Sequence, residues 1–128
     1  MPHQDSSQKV KLVAVKKFRW DDDTDADRFQ EYFIRELRVL RKVSHPHVVK
    51  FMGFVEDFAN GKAWIVFPWE SHGNVREFLK TGHWEIPERI SLISDTSAGL
   101  KYLHGLNPPI CHGDLKSVRQ AILVYFLL

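Results

Sequence analysis

Two side chains of opposite charge stand where the sequence pattern predicts apolar ones. Lys16 lies in the alternating segment 9–19, on the otherwise apolar face of a predicted strand. Glu36 lies at the edge of the apolar face of the helix that follows. Burying either charge is costly unless the charge is paired, so we expect Lys16 and Glu36 to form an ion pair. Such a pair is either a structural link between strand and helix or a functional pair of charges.

The polar loop 110–117 is a second place where chemistry can occur. It contains Cys111, His112, Asp114 and Lys116. Cys111 is the one cysteine of the chain, so it forms no intramolecular disulfide, and the paired C-x-x-C spacing of a zinc site is absent. His45 and His47 flank a proline and are more typical of a structural turn than of a metal site. We therefore assign no metal-ligating residues.

The helix that must position Glu36 is indicated by its start, its stop and its apolar spacing. The acidic segment 21–27 predicts a turn, and Thr24 followed by Asp27 resembles a capping box. His45-Pro46 ends the helix because proline disfavours helical geometry in the residue before it. The predicted buried stripe is Phe29, Phe33, Leu37, Leu40 and Val43.

The middle of the chain predicts a hairpin. Segments 48–58 and 63–69 are rich in β-branched and aromatic residues, and they flank the turn signal Ala59-Asn60-Gly61-Lys62. Two antiparallel strands are therefore expected here. Together with the strand around Lys16 and the predicted helices, they indicate the α+β fold class.

Two further helices are predicted after the hairpin. A break at 71–74 precedes a short helix over 75–80, and Pro87 opens a longer helix that ends near Gly105. The predicted buried stripe of the longer helix is Ile90, Ile93, Leu100 and Leu103.

Composition narrows the class of protein. Of the 128 residues, 44% are hydrophobic and 27% charged, which predicts a globular chain with a core. The formal net charge of +2 gives no reason to expect a nucleic acid or an anionic membrane as a partner. The longest apolar run, 121–128, is too short to span a bilayer, and the amino terminus has no signal-peptide segment. We therefore expect a soluble, cytoplasmic protein.

Five motifs follow one another in the order found in protein kinases, and the chain resembles that family over residues 9–118. They are Val13-Ala14-Val15-Lys16, Arg35-Glu36-Leu37 with His45-Pro46-His47-Val48-Val49, Ile65-Val66-Phe67-Pro68-Trp69-Glu70, Gly99-Leu100-Lys101-Tyr102-Leu103-His104, and His112-Gly113-Asp114-Leu115-Lys116. The His-Gly-Asp variant and Pro68-Trp69 look most like the tyrosine-kinase-like group of fungal kinases.

The resemblance implies an incomplete kinase fold with four parts. Residues 1–8 are expected to be a disordered amino terminus, and 9–70 a partial amino-terminal lobe with its sheet, C helix and hinge. Residues 71–118 match the start of the carboxy-terminal lobe through the catalytic loop. The divergent apolar tail 119–128 is expected to be an unsatisfied strand that promotes aggregation.

The resemblance also implies the catalytic roles. Phosphoryl transfer needs positioning and neutralisation of charge. In the family pattern Lys16, held by Glu36, contacts the α- and β-phosphates of ATP, and Asp114 accepts the proton of the acceptor hydroxyl. Lys116 matches the phosphate-contacting lysine of serine/threonine kinases, so the expected acceptor is a serine or threonine of a protein substrate, with tyrosine as the second possibility.

The expected cofactors are ATP and Mg²⁺, and the nucleotide site is implied by the same resemblance. Adenine would lie against Ala14 and the hinge, with Phe67 at the gatekeeper position. Main-chain groups of Pro68 to Glu70 would face the base, and any donor among them must come from Trp69 or Glu70, since Pro68 has no amide hydrogen. Asn74 falls where the family contacts the ribose.

Three departures from the family pattern bear on activity. Residues 1–8 contain no glycine and so no G-x-G-x-x-G, and Arg119 stands where the magnesium-binding asparagine is expected. The 128 residues contain no D-F-G and no A-P-E. We therefore expect a truncated kinase-family chain that is inactive when isolated. The alternatives are a pseudokinase-like interaction module and a degenerate or mispredicted gene fragment.

Overall fold

The computed structural model describes residues 10–19 and 25–112, and it has the predicted α+β architecture. The elements in chain order are strand β1 (Val13–Phe18), helix α1 (Ala26–Lys42), strand β2 (Gly53–Asp57), a 3-10 turn (Phe58–Asn60), strand β3 (Lys62–Pro68), helix α2 (Val75–Leu79) and helix α3 (Ile86–His104).

The three strands form one antiparallel sheet in the order β1-β3-β2. The predicted hairpin is confirmed as β2 and β3. Strand β2 begins at Gly53, later than predicted, because Val48 forms an isolated bridge with His45 and is buried in the core instead. Gly61 closes the hairpin turn with a φ of 66°, a left-handed conformation that favours glycine.

Helix α1 begins one residue later than the predicted capping box. Its N-cap is Asp25, whose carboxylate accepts from the amides of Asp27 and Arg28, while Thr24 lies outside the described residues. Arg41 and Lys42 lie in the last turn, where positive charge is favourable to the helix dipole. The helix ends at Lys42, three residues before His45-Pro46.

The core lies between α1, β3 and the carboxyl end of α3. Its buried members are Phe29, Phe33, Leu37, Leu40, Val43, Val48, Ala63, Ile65, Phe67 and Leu103. The predicted stripe of α1 is therefore confirmed in full. On β3 the buried positions alternate, as expected for a strand with one face against a helix.

The predicted buried stripe of α3 is wrong in its first half. Ile90 is 58% exposed and Ile93 is 66% exposed, whereas Leu100 is half-buried, Leu103 is fully buried and Gly99 is buried. The reason is that α3 packs on the described chain through its carboxyl half, along a face that carries Gly99 and Leu103. The isoleucines lie on a different face of the same helix.

The turn that follows α1 is fastened to α3 by polar and aromatic contacts. The Ser44 amide donates to the Tyr102 hydroxyl at 2.9 Å, and the His45 and Tyr102 rings stack with centroids 4.9 Å apart. The His47 imidazole lies 3.4 Å from the Asp95 carboxylate. These contacts fix the orientation of α1, and with it the position of Glu36.

Gly99 allows this close approach. A Cβ atom at position 99 would lie 2.9 Å from the carbonyl oxygen of His47, closer than real Cβ contacts. Any side chain at this position would therefore push the turn away from α3.

Candidate active site

The predicted ion pair between β1 and α1 is present. The Lys16 Nζ lies 2.5 Å from Glu36 Oε1, and the side chains are 23% and 7% exposed. A carboxylate this deeply buried requires a charged hydrogen-bonding partner. Strand β1 and helix α1 are therefore linked by the two charged side chains that stand among apolar residues.

Aromatic rings pack against one side of this ion pair. The Lys16 Nζ lies 4.7 Å from the centroid of the Phe18 ring, a cation–π geometry. The Phe18 ring packs edge-on against Phe33 at 5.2 Å and tilts against Tyr32 at 6.0 Å. Since Phe33 is fully buried, its contact connects the Phe18 ring to the core.

Tyr32 is a member of the site that the sequence analysis missed. Burial raises its pKa above the ordinary value of 10.0, and the negative charge of the nearby Glu36 carboxylate raises it further. The signal was present in the sequence: Tyr32 precedes Glu36 by four residues, so both lie on one face of α1.

The residues assigned to adenine come from neighbouring strands. Ala14 on β1 is paired in register with Phe67 on β3, and Lys16 is paired with Ile65. Phe67 is buried, Ala14 is half-buried, and Trp69 and Glu70 are exposed just after β3. Ala14 and Lys16 lie on the same strand face, so the structure brings the small residue and the cation together.

Asn74 has a structural role that the sequence analysis did not assign. Its side chain accepts from the Glu77 amide at 2.9 Å, and the Glu77 carboxylate accepts from the Asn74 amide at 2.9 Å, which completes a capping box for α2. Gly73, with a φ of 67°, leaves room for that carboxylate, since a Cβ there would overlap Glu77 Oε2. The side-chain Nδ2 of Asn74 takes no part in this box, in which the side-chain Oδ1 and the backbone N–H of Asn74 are engaged.

A cavity of about 230 Å³ lies beside Glu36, on the side that leads to the predicted catalytic loop. Its lining residues are Tyr32, Arg35, Glu36, Val39, Pro108, Pro109, Ile110 and Cys111. His112 is buried at the end of this stretch. Asp114, Lys116 and Arg119 lie outside the described residues, and so does the tail 119–128.

The fold is kinase-like. A strand lysine is paired with a helix glutamate, the hairpin ends in an exposed hinge-like segment, and two helices follow. Residues 2–125 match the family described as protein tyrosine and serine/threonine kinase, so the chain belongs to the protein kinase family. The incomplete kinase-like fold expected from the resemblance agrees with this match.

Curated relatives agree with the family. The chain is 39% identical to the serine/threonine-protein kinase CTR1 of Arabidopsis thaliana over 109 residues, 82% of this chain and 13% of the relative. It is 39% identical to the dual specificity protein kinase splA of Dictyostelium discoideum over 90 residues, 66% of this chain and 4% of the relative. It is 32% identical to the LRR receptor-like serine/threonine-protein kinase GSO2 of Arabidopsis thaliana over 115 residues, 82% of this chain and 9% of the relative.

The chain thus spans less than one seventh of each of these relatives. Within residues 10–19 and 25–112, no helix is long and apolar enough to cross a membrane. The same residues contain no group of three or more histidine, cysteine, aspartate or glutamate side chains arranged to hold a metal ion.

Proposed function

We propose that this chain is the central part of a kinase domain that transfers the γ-phosphoryl group of ATP to serine or threonine of a protein substrate. The observation that carries the proposal is the buried pair of Lys16 and Glu36. A lysine held in a fixed direction can bind phosphate oxygens as a point charge, and phosphoryl transfer depends on such positioning.

The residues around the pair suit a nucleotide. Ala14 is small enough for a flat base to approach the strand, and Phe67 is buried on the neighbouring strand. The exposed segment at Trp69 and Glu70 offers main-chain groups to the base edge. In this proposal Asn74 contacts the ribose through its side-chain Nδ2, Asp114 accepts the hydroxyl proton, and Lys116 contacts the transferred phosphate.

The donor set does not suit Mg²⁺ within these 128 residues. Hard cations of this kind prefer oxygen ligands, whereas position 119 holds an arginine and no D-F-G occurs in the sequence. No residue of the chain is therefore assigned to the metal, and the polypeptide 1–128 is proposed to be inactive by itself.

Two features support serine or threonine as the acceptor. Lys116 follows Asp114 at the spacing of the serine/threonine pattern. CTR1 and GSO2 carry serine/threonine in their names, whereas splA is named a dual specificity kinase, so tyrosine remains the second acceptor.

The His-Gly-Asp variant supports a place in the tyrosine-kinase-like group, and the unpaired Cys111 suits a reducing, cytoplasmic location.

A chimera tests the proposal. Residues 9–118 replace the matching segment of a curated relative, so that the rest of the kinase domain is supplied. We expect phosphate transfer from radiolabelled ATP to serine or threonine of a generic protein substrate. Lys16→Met and Asp114→Asn should abolish it, while Lys17→Met, on the opposite face of the same strand, should leave it within about threefold of the parent.

The isolated chain gives the second arm of the test. Purified 1–128 with ATP and Mg²⁺ or Mn²⁺ should incorporate no more phosphate than its Asp114→Asn variant. Incorporation clearly above that variant would contradict the proposed inactivity. A folded chimera without transfer would instead favour the pseudokinase-like interaction module.

A further inference from the structure

The Lys16 ammonium lies against an aromatic face as well as against Glu36. Lys16 and Phe18 are two residues apart on β1, so both side chains lie on the sheet face that packs on α1. The Lys16 Nζ is 4.7 Å from the centroid of the Phe18 ring. At this distance the negative face of an aromatic ring attracts a cation, and the attraction strengthens as water is withdrawn from the contact.

The Phe18 ring is itself held in place by the core. It packs edge-on against Phe33 with ring centroids 5.2 Å apart, and Phe33 is fully buried. Phe33 in turn makes an edge contact with Phe58 at 5.9 Å. In the sheet, Phe18 is paired in register with Ala63, which is also fully buried. The position of the ring is therefore fixed from α1 and from β3.

A lysine side chain needs more than one contact to point in a single direction. Its four-carbon stem is flexible, and fixing it costs rotamer entropy. The Glu36 carboxylate contacts the Lys16 ammonium from α1, whereas the Phe18 ring contacts it from β1. Attractive groups on two elements therefore define where the ammonium lies.

We propose that Phe18 is a positioning residue for Lys16, with its ring face holding the ammonium beside the Glu36 carboxylate. The inference deepens the proposed function and rests on it for its meaning in phosphoryl transfer, because Lys16 is the group that would bind the phosphates of ATP. The contact itself exists without nucleotide, so it can be tested separately.

Fluorinated phenylalanines test the ring face with little change in its shape. Each fluorine atom withdraws electron density from the face and weakens its attraction for a cation. Phe18 is replaced in purified 1–128 by 4-fluoro-, 3,5-difluoro- and 3,4,5-trifluorophenylalanine, and the acylation rate at each lysine is read by peptide mass spectrometry without nucleotide. Since only the neutral amine attacks an acylating reagent, a less firmly held ammonium reacts faster. The rate at Lys16 should rise with each fluorine, to about fivefold for the trifluoro residue.

Two natural substitutions give the comparison with packing. Phe18→Leu keeps an apolar side chain but removes the ring, so it should raise the Lys16 rate by about fivefold or more, whereas Phe18→Tyr keeps the face and should stay within about twofold of the parent. Should Phe18→Leu lose its circular dichroism signal, the fluorinated series still decides, because those rings remain apolar.

The matched control places the same trifluorophenylalanine at Phe54. Phe54 also contacts Phe33, at 6.5 Å, but Ile65 on β3 lies between Phe54 and Lys16 in the sheet register. This replacement should leave the Lys16 rate unchanged. Lys17, which lies over the Trp64 ring, is the internal reference, and its rate should stay constant in every variant.

A Lys16 rate that does not change across the fluorinated series overturns the proposal. An equal rise with the replacement at Phe54 overturns it as well, because it would indicate general loosening of the aromatic cluster. ATP protection of Lys16, measured in the chimera, reports on nucleotide binding alone. Absence of that protection, with the fluorine dependence at Phe18 retained, would contradict the proposed kinase activity and leave the positioning role in place.

Discussion

At the scale of single residues, the buried charge of Glu36 is the most consequential feature. Its carboxylate is almost completely withdrawn from water, and its partner Lys16 is half-buried, with 23% of its side chain exposed. Removing one member of such a pair leaves the other uncompensated, which costs more than the pair itself contributes. Replacing one member of the pair is therefore predicted to lower the free energy of unfolding more than replacing both members.

Lys16→Met tests this asymmetry. It should lower the free energy of unfolding by about 3 kcal/mol, because the buried carboxylate loses its cation, and Lys16→Met with Glu36→Leu should recover part of that loss. Urea unfolding of the chain measures both. Lys17→Met, which removes a lysine that lies 4.8 Å from the Trp64 ring on the exposed face, is the control and should change stability by less than about 1 kcal/mol. An additive double variant would contradict a coupled pair.

Tyr32 gives the pair a dependence on high pH. Its pKa is raised above 10.0 in the folded chain by burial and by Glu36, so the folded state keeps the phenolic proton where the unfolded chain has lost it. The stability that Tyr32 contributes is therefore present below about pH 10 and decreases as the pH rises through the folded pKa. The difference in unfolding free energy between the parent and Tyr32→Phe should shrink from about pH 9 to about pH 11. A constant difference would show that the pKa of the Tyr32 phenol is not raised in the folded chain.

At the scale of elements, the contact of α3 with the turn after α1 decides where Glu36 points. Gly99→Ala should lower the free energy of unfolding by about 1–3 kcal/mol, because the added methyl group meets the His47 carbonyl. This outweighs the helix propensity gained, about 1 kcal/mol. Gly82→Ala is the matched control, since nothing lies within 4 Å of a Cβ there, and it should be neutral. A stabilised Gly99→Ala would mean that the turn and α3 are not in close contact.

The same contact explains what the sequence could and could not predict. The apolar stripe of α1 was predictable because strand β3 and the carboxyl end of α3 both pack against it. On α3 the spacing of Ile90, Ile93 and Leu103 indicated a helix correctly but not which face is covered, and the helix packs through Gly99 and Leu103 while the two isoleucines are exposed. Lys16 and Glu36 stood out as charges among apolar residues, whereas the i, i+4 spacing of Tyr32 and Glu36 is common on helix surfaces and did not by itself single Tyr32 out.

At the scale of the whole molecule, the described residues leave one apolar face of α3 exposed. Its members are Ile86, Ile90 and Ile93, and a groove of about 360 Å³ between α2 and α3 borders it. Exposed apolar surface of this kind favours association between molecules. Ile90→Ser with Ile93→Ser should therefore raise the soluble yield and shift unfolding by less than about 0.5 kcal/mol. Leu103→Ser, at a fully buried position, is the contrasting variant and should unfold the chain; equal effects of the two would contradict the burial pattern.

The apolar tail is the other determinant of solubility at this scale. Residues 119–128 contain a continuous run from Ala121 to Leu128, and a run of this length with high strand propensity and no charge promotes aggregation. Deletion of 119–128 should therefore raise the soluble yield or leave it unchanged, with the same midpoint of urea unfolding. A lower yield, or a lower midpoint, would show that the tail is an integral part of the fold. The double variant Ile90→Ser with Ile93→Ser then tests whether the tail covers the exposed apolar face of α3. If the tail covered this face, the double variant would lower the midpoint of urea unfolding in the full chain. The same variant would leave the midpoint unchanged after the deletion of 119–128.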